Sequence, residues 1–193
     1  MCGRYVLTSD ARKLAKAFNA EVMAQLAPRY NIAPSQPMPA VRVDRDSGQR
    51  RLDLLRWGLV PRWADDPSIG YRMINARAES AATKPAYRAA MKYRRCLIPA
   101  DAFFEWKKLP TGRKQPHLIQ QADGEPFAFA GLWEHWQDPN GNEHETATIL
   151  TTDANPLLAP LHDRMPVILP PEQYDAWLAP ANQDGQALTA LLK

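Results

Sequence analysis

Cysteine stands directly after the initiator methionine. Its side chain is small enough for an aminopeptidase to expose it. With Met1 gone, Cys2 carries a free α-amine and a thiol two carbons apart. Their ordinary pKa values, about 8 and 8.5, leave both a reactive fraction near neutral pH. Such a 1,2-aminothiol has chemistry that no internal cysteine has. The amine condenses with an aldehyde to an imine, and the thiol closes on the same carbon to give a five-membered thiazolidine. Alternatively, Cys2 could act as an N-terminal nucleophile, its amine serving as base for its own thiol. Read in isolation, a cysteine at position 2 is more often just a cysteine near an end. The rest of the chain decides between these.

Chemistry of this kind needs a frame to hold it. The 193 residues suit one domain spanning 1–193. A chain that is 45% hydrophobic and 23% charged has a substantial core. A net charge of +3 is too small to argue for nucleic acid, so the placement of charge must decide. There is no basic-then-apolar leader, and no apolar run nears the ~18 residues of a membrane span. A reducing, cytoplasmic compartment is expected, with Cys2 and Cys96 free and a bridge between them disfavoured. Two thiols without paired histidines make no zinc set, and nothing calls for a metal or organic cofactor.

Eighteen prolines against nine glycines imply many fixed turns and few long helices. Strands are predicted at 5–8, 41–43, 51–57, 96–99, 102–107, 117–119, 127–133, 146–151 and 167–169. Helices are predicted from Ala11 to Phe18, capped by Ser9 or Asp10, from Lys84 to Arg95, from Asn155 to Leu161, from Pro171 to Leu178 and from Gln186 to Leu192. Arg29 to Pro34 reads as a run into a proline-rich turn. Asn75, Arg77 and Glu79 alternate, which predicts an extended segment with three polar side chains on one face. In the second helix Lys84, Arg88, Lys92 and Arg95 would share a face, most simply a solvated one. The order of elements predicts an α+β fold: a curved, mainly antiparallel sheet or partly open β-barrel flanked by short helices.

Seven blocks now stand out in order. They are Cys2-Gly3-Arg4-Tyr5, Arg29-Tyr30-Asn31-Ile32-Ala33-Pro34, Trp57-Gly58-Leu59-Val60-Pro61, Asn75-Ala76-Arg77-Ala78-Glu79, Cys96-Leu97-Ile98-Pro99-Ala100 running to Glu105-Trp106, Ala130-Gly131-Leu132-Trp133-Glu134, and His162-Asp163-Arg164-Met165-Pro166. Together they resemble the SOS response-associated peptidase (SRAP) family across nearly the whole chain. One departure is visible: the family usually has glycine and tyrosine between Pro99 and Glu105, where this chain has Ala102, Phe103 and Phe104.

The resemblance implies a protein that crosslinks itself to abasic sites in single-stranded DNA, its N-terminal cysteine forming a thiazolidine with the ring-opened deoxyribose. The chemistry is sound on first principles. An amine alone would form an imine, acidify the neighbouring C2′ proton and promote strand elimination. A thiol on the same residue diverts that imine into a saturated ring and shields the lesion. Glu105, set between two apolar aromatics, is the leading acid/base candidate. His162 can exchange a proton with the sugar O4′, because imidazole titrates near neutrality. Asn75 could hold either the Cys2 backbone or the sugar. Arg4, Arg77 and Arg164 could clamp phosphates, and Trp57, Trp63 and Trp106 could stack on bases, with core packing the role of at least one of them.

The expected function is therefore covalent capture of abasic single-stranded DNA through Cys2, by a monomer with no membrane association and with protein partners left open. Asn75, Glu105 and His162 complete the catalytic set. The rivals are a thiol autopeptidase or protease using the same Cys2, and a non-covalent single-strand-binding protein.

Overall fold

The computed structural model describes residues 2–192. Met1, whose removal the expected chemistry would require, lies outside the described residues. In chain order the elements are β1 (Tyr5–Leu7), α1 (Ala11–Phe18), β2 (Glu21–Val22), β3 (Arg29–Ile32), β4 (Pro37–Val43), β5 (Arg50–Trp57), β6 (Asn75–Arg77), α2 (Ala78–Ala81), α3 (Arg88–Tyr93), β7 (Arg95–Ala100), β8 (Ala102–Lys108), β9 (Lys114–Gln120), β10 (Phe127–Gln137), β11 (Glu143–Asp153), β12 (Arg164–Pro166), β13 (Ile168–Leu169), α4 (Tyr174–Leu178) and α5 (Gly185–Ala190).

Five strands close on themselves. β11, β10, β7, β4 and β5 are neighbours in that order, and β5 returns to β11 through a parallel pairing of Arg56 with Thr146 and Trp57 with Ala147. The result is a mixed barrel, with short strands β2, β6, β12 and β13 added around it. A second sheet, β3-β1-β8-β9, carries the chain's N-terminal segment. An aromatic cluster locks the two together. Tyr5 of the second sheet meets Trp57 edge-on at 5.6 Å and Phe129 at 6.0 Å, and Phe103 meets Phe129 at 5.7 Å. Such edge-to-face pairs add to what their burial contributes.

Two local devices fix the second sheet. Asp101, at the β7–β8 corner, accepts hydrogen bonds from the amides of Thr8 and Ser9, pinning the end of β1. Asp10 then caps α1 by accepting from the Lys13 amide, and α1 buries Leu14 and Phe18. The loop after β5 depends on two glycines. A Cβ at Gly58 would lie 2.6 Å from the Gly70 carbonyl oxygen, and φ there is +123°, so two backbone segments cross where no side chain fits.

The expected curved, mainly antiparallel architecture is present, and several details differ from expectation. Arg29–Ile32 is a strand, paired with β1, rather than the approach to a turn. The predicted 84–95 helix contracts to Arg88–Tyr93, because Lys84 to Tyr87 form turns. Arg95 leaves the solvated stripe altogether. It is buried, and its guanidinium donates to the carbonyls of Met91, Lys92, Trp177 and Ala179. Glu79 lies in the first turn of α2 and so does not share an extended face with Asn75 and Arg77. Residues 155–161 form successive turns instead of a helix. Cys2 and Cys96 are both buried free thiols.

Candidate active site

Cys2 is fully buried. Asn75, at the start of β6, donates from Nδ2 to the Cys2 carbonyl at 2.9 Å. Of the two tasks the sequence leaves open for Asn75, the structure therefore realises the grip on the Cys2 backbone. The amide's other end, Oδ1, is buried without a hydrogen-bond partner among the described residues. The Cys2 Sγ lies 3.9 Å from the Arg4 carbonyl oxygen, a weak thiol donation.

β8 brings the carboxylate. Tyr5 pairs with Phe103 and Val6 with Ala102, and the Phe104 amide donates to the Arg4 carbonyl at 2.9 Å. That antiparallel run lays Phe104-Glu105-Trp106 alongside the N-terminal segment. Glu105 is buried, at 2% exposure. Burial first, and then the carboxylate charge of Glu105, push the Cys2 thiol up to about 12. At neutral pH Cys2 is thus a thiol and not a standing thiolate. Tyr5 extends the buried cluster. Its hydroxyl has no hydrogen-bond partner among the described residues, and burial raises its pKa, with the nearby Cys2 adding to the effect. The sequence reading treats Tyr5 as part of a motif only; its place in Cys2-Gly3-Arg4-Tyr5 was the available signal.

β11 carries the other half of the site. Thr151 pairs with Arg77 of β6 on one side and with Pro166 of β12 on the other. His162 sits just before β12, half-buried. Its Nδ1 lies 3.0 Å from the Arg164 amide and 2.7 Å from an Asp163 carboxylate oxygen. One ring nitrogen cannot accept and donate at once. The amide keeps its proton in every ionisation state, whereas the Asp163 side chain is 85% exposed. The geometry therefore gives Nδ1 the lone pair and puts the neutral ring's proton on Nε2.

The arginines and tryptophans divide into two groups. Arg77 is exposed at the end of β6. Arg4 reaches Asn31 Oδ1 at 3.2 Å. Arg164 is buried and engaged internally, bidentate to Glu79 at 2.9 and 2.8 Å, to Asp153 at 2.5 Å and to the Thr151 carbonyl at 2.6 Å. In this arrangement it ties α2, β11 and β12 together instead of pointing a free guanidinium at a phosphate. Of its partners, Asp153 was not singled out in the sequence, and Glu79 only as one of an alternating polar set. Trp63 is 61% exposed and Trp106 half-buried, so both present ring surface. Trp57 does not: it is 1% exposed, and its Nε1 donates to the Ile74 carbonyl at 2.8 Å. Its stacking role is corrected to core packing.

Two sizeable clefts lie elsewhere. One of about 660 Å³ is lined by residues including Glu21, Arg50 and Asp175, and one of about 520 Å³ by residues including Arg56, Trp136 and His144. Neither contains Cys2, Asn75, Glu105 or His162. Size is a weaker guide here than chemistry, because neither cleft gathers a nucleophile, a carboxyl and an amide. Among the described residues no group of three or more His, Cys, Asp or Glu side chains converges as metal ligands, and no helix is long and apolar enough to cross a membrane.

Comparison with known proteins bears on the site. The family model described as SOS response associated peptidase (SRAP) matches residues 1–193. The chain is 45% identical over 196 residues to the abasic site processing protein YoqW of Bacillus subtilis, covering all of this chain and 87% of that one. It is 35% identical over 185 residues to the abasic site processing protein YedK of Escherichia coli, covering 92% and 79% respectively. A crystal structure of a protein from Bacteroides thetaiotaomicron superposes with a TM-score of 0.90 at 28% identity, covering 100% of this chain and 87% of that one.

Proposed function

Because the chain belongs to the SOS response associated peptidase family, we propose that it recognises abasic sites in single-stranded DNA and captures them covalently through Cys2. The observation that carries this is the meeting, in one buried place, of an N-terminal cysteine, an amide on its carbonyl and a carboxylate within electrostatic reach of its thiol. The names of its relatives, abasic site processing proteins, support the same lesion.

The steps follow from the ionisation of the site. Once Met1 is removed, the α-amine is the stronger nucleophile at neutral pH, since a thiol held near 12 has almost no thiolate. The amine adds to C1′ of the ring-opened sugar and the carbinolamine loses water to give the imine. Sulfur then adds to the imine carbon. As the S–C bond forms, the thiol proton leaves and the nitrogen gains one, so the net loss is one water. Glu105, whose charge reaches the Cys2 thiol, carries that proton between sulfur and nitrogen. Asn75 holds the Cys2 backbone still, and its buried Oδ1 can accept from a sugar hydroxyl. His162 exchanges the proton that opening and closing the sugar ring require. Arg4 and Arg77 meet phosphates, and Trp63 and Trp106 meet bases beside the gap. The same Cys2 could remove its own leader as an autopeptidase. Cleavage of other chains finds less support, because neither of the two clefts described above contains Cys2.

The test is the intact mass of purified protein before and after mixing with a single-stranded abasic oligonucleotide. Wild type should lack Met1 and gain the mass of the strand less one water. Cys2→Ala should give no adduct, and Cys2→Ser at most a weaker one, a hydroxyl being a poorer nucleophile. A heat-stable adduct in the alanine variant would sink the mechanism.

A further inference from the structure

Beyond Glu105 and Trp106, the β8–β9 hairpin is a basic stretch that the site above does not use. From Trp106 to Ala122 there are four cations, Lys107, Lys108, Arg113 and Lys114, and no acidic residue. The register places Phe104 opposite Leu118, Trp106 opposite Pro116 and Lys108 opposite Lys114. Residues directly opposite, and those two apart along a strand, share a face. Glu105 and its partner His117 take the other face, towards Cys2. The outer face is therefore a ladder: an apolar pair, an indole, then two ammonium groups. Phe104 and Trp106 touch along it, with ring centroids 6.2 Å apart, and Leu118 is 53% exposed.

Two features call for an occupant. Like charges directly opposite in a sheet are destabilising, and the hairpin holds no anion to relieve Lys108 against Lys114. Half-buried aromatics that present ring surface beside cations are also the composition that tracks a single nucleic-acid strand. Protection of the edge strand β9 accounts for Pro116 and Lys114. It does not account for Lys108 set directly against Lys114, nor for Leu118 left exposed beside the half-buried Phe104.

We propose that this outer face is a track for the undamaged single-stranded flank of the lesion strand. A base lies against Trp106 and Phe104, and a backbone phosphate sits between Lys108 and Lys114. The track rests on the abasic-DNA assignment above and deepens it, adding a contact region that needs no lesion.

The experiment uses the Lys108→Gln, Lys114→Gln double variant and measures the salt dependence of binding to a long lesion-free oligothymidylate. The slope of log K against log salt should fall by about 0.7, from the one phosphate that the two lysines neutralise together. A remote double variant, Arg12→Gln with Lys16→Gln on the exposed face of α1, changes net charge equally and should leave the slope near wild type. Crosslinking to a minimal abasic oligonucleotide without flanks should keep its wild-type rate in both. An unchanged slope in the hairpin variant, or an equal fall in the remote one, overturns the track. Wild type that binds the long strand with the expected slope, yet forms no adduct with abasic DNA, would overturn crosslinking and leave the track standing.

Discussion

At the scale of single residues, His162 separates a proton carrier from a strut. Its Nδ1 accepts from the Arg164 amide, and glutamine can keep an acceptor there, so His162→Gln should fold and bind DNA. Glutamine cannot give and take a proton near neutrality. Adduct formation and its reversal should both slow, by the about 10²–10⁴-fold typical of lost acid/base catalysis, towards the low end because Glu105 remains. Single-turnover crosslinking and release, followed from roughly pH 5.5 to 8.5 around the ordinary imidazole value, reads both directions. Equal rates throughout would make His162 structural. That Asn75 and Glu105 gather around Cys2 was legible beforehand because each sits in a short motif whose residue types match the expected chemistry. Trp57 was not. Its strand alternates like any other, and closure of the barrel alone decides that its ring faces inward.

At the scale of elements, Arg164 is the joint between α2, β11 and β12. Arg164→Ala strands Glu79 and Asp153 and frees β6 and the His162 turn to drift. Losing charged hydrogen bonds of this kind costs roughly 1.5–3 kcal/mol each when buried; Glu79 and Asp153 are at least half exposed, so about 2 kcal/mol in total is expected. Chemical denaturation should show that loss, and crosslinking should slow, while the salt slope for an intact strand stays at the wild-type value. Arg77→Ala should do the reverse, keeping stability and lowering the slope by about 0.7. If Arg164→Ala lowers the slope as much as Arg77→Ala, its guanidinium reaches phosphate after all. Sequence spacing predicted a helix joining Lys84, Arg88, Lys92 and Arg95, but spacing carries no information on what stands beside Arg95. Four carbonyl oxygens, two of them from the α4 region at Trp177 and Ala179, draw it inward. The same limit hid Glu79, whose partner lies 85 residues away.

For the whole molecule, burial of both thiols has a pH signature. Cys2 and Cys96 are pushed from 9.0 up to about 12, chiefly by burial. The folded chain keeps protons that the unfolded chain gives up, so this stability is intact below pH 9 and is lost between about 9 and 12. The loss is about 1.4 kcal/mol per pH unit for each thiol. Tyr87 and Tyr174, also raised by burial, add to it above pH 10. The urea midpoint should hold to about pH 8.5 and then fall, less steeply in Cys96→Ala; a midpoint flat through about pH 10.5 would contradict the burial. The α+β class and the curved antiparallel strands were readable from alternation and turns. The closure of five strands into a ring was not, because it rests on a two-residue parallel pairing that leaves no periodic trace. That pairing joins residues 56–57 to 146–147. A growing chain emerges at about 5–20 residues per second, so the ring cannot close until roughly ten seconds or more after the amino terminus appears. For that interval the N-terminal cysteine stands in water with the acidity of any free thiol. If an aminopeptidase removes Met1, it meets that segment before the fold does, and the order of biosynthesis arms the protein before closure seals it.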